Sequence, residues 1–116
     1  MKVLYVLLAL FLSGCGSDLC GVESISESKS PNGEYVANVF ERNYGATTPY
    51  VRVVSLRHAG SEFAPDEDDD WVFTIHGQSD VHISWIKNTE LQISYSATGD
   101  TPTQRTKWEK VIISYQ

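Results

Sequence analysis

Apolar and polar residues alternate along much of this chain. Trp71-Phe73-Ile75, Val81-Ile83-Trp85, Leu91-Ile93-Tyr95 and Val111-Ile113-Tyr115 each recur at every second position. That is the period of a strand with one face buried and one in water. It predicts strands over 71–76, 81–86, 91–95 and 107–115. Two earlier runs, 35–42 (YVANVFER) and 50–57 (YVRVVSLR), are rich in β-branched and aromatic residues and bounded by turn formers, so they read as strands as well. Lys87-Asn88-Thr89-Glu90 is a tight connection and predicts a hairpin. Ser30-Pro31-Asn32-Gly33 predicts a turn, because Pro presets φ and Gly accepts a positive one. Residues 58–70 read as a loop, and no helical period longer than two turns follows residue 15. The expected fold is all-β: six or seven short antiparallel strands in a meander, shaped as a curved sheet, a small sandwich or a partly closed barrel.

The first residues follow another pattern. Met1-Lys2 is followed by an unbroken apolar run over 3–12 and then Ser13-Gly14-Cys15. A charge, an apolar stretch and a small-residue exit make a cleaved signal peptide over 1–14. The run falls short of the roughly 20 apolar residues of a membrane-spanning helix. Leu12-Ser13-Gly14-Cys15 resembles the lipobox of bacterial lipoproteins. The resemblance implies cleavage before Cys15, diacylglycerol on its sulfur and an acyl chain such as palmitate on the new amine. Small Ser13 and Gly14 suit a narrow peptidase cleft, and only a cysteine sulfur forms the thioether. Three acyl chains exceed the two signals that stable anchoring needs. The rival reading is ordinary signal-peptidase cleavage, which leaves a soluble protein. In enteric-type bacteria an aspartate after the lipidated cysteine favours the inner membrane. Gly16 stands there instead, so the expected location is the periplasmic face of the outer membrane.

After processing, residues 15–30 form the lipidated N-terminus and a polar tether that pairs late, around 23–27, and residues 31–116 form the single all-β domain. The full chain has 15 acidic and 9 basic residues, net −6. Loss of Lys2 leaves eight basic residues, and 8 − 15 gives −7. That sign disfavours nucleic acid and gives the domain no attraction to anionic lipid. Only the lipid then holds it at the bilayer.

If Cys15 is acylated, Cys20 has no intramolecular partner, which is unusual in an oxidising compartment. A buried inert thiol, an intermolecular disulfide and a partner lost from this sequence remain as readings. Residues 30–37 (SPNGEYVA) resemble the opening strand of β-propeller blades, with 83–86 and 91–93 as a degenerate second copy. A propeller takes about four blades or more, beyond the reach of this chain, and shared turn chemistry explains the echo equally well. A broader resemblance covers most of the mature domain. Asp18-Leu19-Cys20-Gly21, Ser30-Pro31-Asn32-Gly33-Glu34-Tyr35 and Val39 through Thr48 (VFERNYGATT) resemble a family of small bacterial proteins, many of them lipoproteins, without an established activity. In that family the third segment commonly reads RDCGATT. Its cysteine would be the natural partner of Cys20, and Asn43-Tyr44 replaces the Asp-Cys step here.

Candidate chemistry is sparse. Asp66-Glu67-Asp68-Asp69-Asp70 supplies five carboxylates but lacks EF-hand spacing and its turn glycine. It reads as a solvated loop, or as an acidic contact for a basic partner. His58, His76 and His82 share no ligand spacing, so no metal is expected. No GxSxG elbow or phosphate-cradling glycine loop occurs, and no base can be named to activate Cys20. Neither catalysis nor a cofactor is implied. Asn43, Tyr44, Gly45, Ala46, Thr47, Thr48 and Tyr50 make an interaction loop of hydroxyls, aromatics and a glycine hinge, with a purely structural hairpin as the rival. Trp71, Trp85 and Trp108 read as packing residues. The sequence thus points to a lipid-anchored envelope protein that binds an envelope partner. An inhibitor or immunity protein against a basic toxin or lysozyme-like enzyme is the alternative. A hydrolase using His76 or His82 stands last.

Overall fold

The turn at Ser30-Pro31-Asn32-Gly33 forms as its residues dictate. The Gly33 amide donates to the Ser30 carbonyl at 2.8 Å, and Gly33 takes φ 74°, a value that costs glycine little. A computed structural model describes residues 21–43, 50–96 and 101–116. The predicted signal peptide, Cys15, Cys20 and loop residues Tyr44, Gly45, Ala46, Thr47 and Thr48 lie outside the described residues.

The described chain is all-β. Its strands are β1 (Gly21–Lys29), β2 (Tyr35–Asn43), β3 (Val51–His58), β4 (Trp71–His76), β5 (Val81–Lys87), β6 (Glu90–Tyr95), β7 (Thr103–Gln104), β8 (Lys107–Trp108) and β9 (Val111–Tyr115). They form two sheets, ordered β1-β2-β3-β4-β7 and β5-β6-β9-β8. Tyr35, Ala37, Val39, Val54, Leu56, Phe73 and Ile75 of the first sheet share one buried cluster with Val81, Leu91, Ile93, Trp108, Val111 and Ile113 of the second. The architecture is therefore a sandwich, and neither sheet closes into a barrel.

The meander is corrected. β6 and β9 pair in parallel, with Leu91 opposite Ile113. Parallel neighbours need a long connection, and here the chain crosses to the first sheet at β7 before returning. No alternation marks 103–104, so the sequence reading missed that strand. The strand predicted over 107–115 is two, because Glu109 turns the chain at φ 50° and pairs Trp108 with Val111. The strand expected around 23–27 extends over all of β1, so the segment read as tether supplies an edge strand. Eight of its nine residues are exposed, and its charges and a bulge at Ile25 protect that edge.

β2 and β3 lack clean alternation because both of their faces are covered. Phe40, Val51 and Val53 point away from the sandwich and lie under Phe63 and Trp71. Trp71 was expected on the inner face with Phe73 and Ile75. A bulge leaves Val72 unpaired between Trp71 and Phe73, so Val72 enters the main core and Trp71 turns outward. The other three alternating sets keep their expected sides, with Val81, Leu91, Ile93, Val111 and Ile113 all buried. The hairpin at Asn88-Thr89 also forms, with Lys87 opposite Glu90.

Strand directions give the sandwich two poles. The turn pole carries Asn32, Asn88 and Glu109. There the Asn32 amide donates to Asn88 Oδ1 at 2.8 Å and His58 Nε2 lies 2.8 Å from Glu109 Oε1. The N-terminal pole carries the start of β1, the end of β2, the start of β3 and the end of β4, with Gly21 opposite Asn43 and Val51 opposite His76.

Tyr115, at the end of β9, reports on the core. Its hydroxyl donates to the Arg105 carbonyl at 2.7 Å and lies 3.2 Å from the Val72 carbonyl. Burial pushes its phenol up to about 12. The folded chain therefore keeps a proton that the unfolded chain releases near pH 10, so stability falls as pH rises from about 10 to about 12. Urea unfolding across that window is expected to show the decline in the native protein and a shallower one in Tyr115→Phe.

Candidate functional site

Directly opposed residues of an antiparallel sheet share a face. Along β2 and β3 the inward pairs are Tyr35 with His58, Ala37 with Leu56, Val39 with Val54 and then Glu41 with Arg52. The apolar row thus ends at the N-terminal pole in two opposite charges. Arg52 Nε donates to Glu41 Oε1 at 2.9 Å, and its Nη1 donates to the Ser79 carbonyl at 2.9 Å. Gln78 Nε2 donates to the same Glu41 oxygen at 3.1 Å. The side chains of Arg52 and Glu41 are only 17% and 10% exposed, so the pair is nearly buried and hydrogen-bonded, as buried charge must be. The Gly77 amide, donating to the Tyr50 carbonyl at 2.6 Å, ties the β4–β5 connection to the start of β3.

These residues line a cleft of about 390 Å³, formed by Gly21, Val22, Glu23, Glu41, Asn43, Tyr50, Arg52 and Gln78. Asn43 and Tyr50, the described ends of the predicted interaction loop, therefore border a polar cleft. Sequence reasoning missed Glu23, Glu41, Arg52 and Gln78. A signal was present: Glu41 and Arg52 occupy the next inward positions of the alternating sets Tyr35-Ala37-Val39 and Val54-Leu56, where an apolar residue would otherwise stand.

The acidic run lies elsewhere, along the outer face of the first sheet. Asp66 pairs with Arg42 Nη1 at 2.7 Å. Arg42 also donates to the Pro65 carbonyl and stands 5.7 Å over the Trp71 ring. Asp68–Asp70 form a single 3-10 turn instead of continuing the loop. Asp70 accepts from Trp108 Nε1 at 3.1 Å, so the ends of the run hold the fold together. Glu67, Asp68 and Asp69 are exposed. Asp68 and Asp69 border a second cleft of about 590 Å³ with Trp71, Phe73, Thr74, Thr103 and Arg105.

The tryptophans mostly pack. Trp108 is buried, and Trp85 stacks on Tyr35 and donates to the Ser28 carbonyl at 3.0 Å. His76 and His82 are exposed on different sheets, and among the described residues no three of His, Cys, Asp and Glu converge as metal ligands. The fold and site thus define a small two-sheet sandwich with a charged polar cleft at the pole where its first strand begins. Comparison with protein-family models, with curated proteins and with solved structures finds no match to this chain.

Proposed function

We propose that this chain is a lipid-anchored binding module of the bacterial envelope, held by an acylated Cys15 and engaging an envelope protein at its N-terminal pole. One observation carries the reading: the strand that follows Cys15 starts at Gly21, which itself lines the Glu41–Arg52 cleft. An extended chain spans at most about 3.5 Å per residue, so the leash from Cys15 holds the cleft within about 20 Å of the lipid. Asn43 and Tyr50 face the same zone. The outer membrane is the destination that Gly16 favours.

An inhibitor or immunity role is the second reading, favoured by the mature charge of −7 derived above and by carboxylates in the cleft. It calls for inhibition of one basic enzyme with nanomolar affinity, weakened by salt. The test of the first reading is crosslinking in living cells. A photo-crosslinking phenylalanine analogue at position 50 is expected to give a discrete protein adduct, and the same group at Asn88, on the opposite pole, is expected to give none. Equal adducts from both positions, or none from position 50, would contradict it.

A further inference from the structure

The cleft's charges do not cancel. Glu23 of β1 stands directly opposite Glu41 of β2, which in turn stands opposite Arg52 of β3. Like charges facing one another across strands are destabilising, and here two carboxylates stand on one face with a single guanidinium. Arg52 is committed to Glu41 and to the Ser79 carbonyl. Both donors to Glu41, from Arg52 and Gln78, fall on Oε1. Its Oε2 accepts from none of the described residues and is not sealed from solvent. A carboxylate oxygen open to solvent in the cleft, beside a second carboxylate, is the complement of a cationic hydrogen-bond donor. Tyr50, 38% exposed, adds an aromatic surface of the kind cations favour.

We infer that this cleft takes one guanidinium or ammonium side chain from a basic segment of a protein partner. The inference rests on the binding-module reading and names the chemistry of its ligand. The incoming cation donates to Glu41 Oε2 and Glu23, relieving their repulsion, while Arg52 and Gln78 keep Glu41 in place. A volume of about 390 Å³, at the small end of ligand pockets, suits a single side chain.

The test uses the protein purified as the cell makes it, in nonionic detergent at low salt, titrated with an acetylated tri-arginine amide. Saturable binding is expected for tri-arginine and none for tri-glutamate. Glu23→Gln is expected to weaken binding about tenfold, the order of one charged hydrogen bond. Glu23 lies on the exposed edge strand, so an unchanged melting curve serves as the folding control. The paired variant Asp68→Asn with Asp69→Asn is expected to leave affinity unchanged. Equal binding by Glu23→Gln, equal binding of tri-glutamate, or loss of binding in the acidic-run variant would each overturn the inference. In a second arm, displacement of the peptide by the soluble headgroup glycerophosphoethanolamine, but not by glycerophosphocholine, would overturn the protein partner in favour of a lipid amine. A negative titration alongside a discrete adduct at position 50 removes this ligand and leaves the binding module. A positive titration without that adduct supports the cleft chemistry and removes the envelope partner.

Discussion

Cys15→Ser, made behind a signal peptide that ordinary signal peptidase removes, is expected to move the protein from the membrane fraction to the soluble fraction. Serine offers no sulfur for the thioether, so the chain released by that cleavage carries neither acyl chains nor the apolar run 3–12. Each buried CH₂ of an acyl chain contributes about 0.8 kcal/mol, and the domain brings no compensating attraction. Residues 15–116 carry −7 by the count above, and anionic lipid repels such a surface. Among the described residues no helix is long and apolar enough to cross a membrane. Fractionation and immunoblotting of both proteins check this. Unchanged membrane association of that variant would transfer anchoring to the domain itself or to a protein partner.

The second large effect is expected at the cleft itself. Glu41→Leu leaves the Arg52 guanidinium nearly buried without its carboxylate and removes the acceptor for Gln78. Breaking such a pair from one side typically costs about 3–5 kcal/mol, because the surviving charge stays desolvated. Adding Arg52→Met removes that orphaned charge, so the double variant is expected to be more stable than Glu41→Leu alone. Urea unfolding of the native, single and double proteins measures the coupling. Additive losses would mean that the two side chains do not act as a pair, and the cleft would lose its fixed frame.

The strands of the second sheet were legible because one of their faces meets water and the period of two survives. Val81, Leu91, Ile93, Val111 and Ile113 lie where alternation places them. Legibility failed where a local irregularity resets parity. The bulge at Val72 turns Trp71 to the outer face, and the turn at Glu109 divides one apparent strand into two. It also failed for β7, whose two residues, Thr103 and Gln104, carry no pattern and join the sheet only through β4. The parallel β6–β9 pairing follows from that excursion, which no short-range signal encodes. For the site, the sequence drew attention to the glycine- and threonine-rich loop. The charged pair was visible only as an interruption, with Glu41 and Arg52 standing in register eleven residues apart. Recognising it required knowing that β2 and β3 are neighbours in this register.

Intact mass analysis of the protein extracted from membranes bears most directly on the account. The expected mature species begins at residue 15 and carries a diacylglyceryl thioether with an added N-acyl chain. A free thiol at that position, or a polypeptide still bearing residues 1–14, would contradict anchoring by lipid and with it the orientation assigned to the cleft.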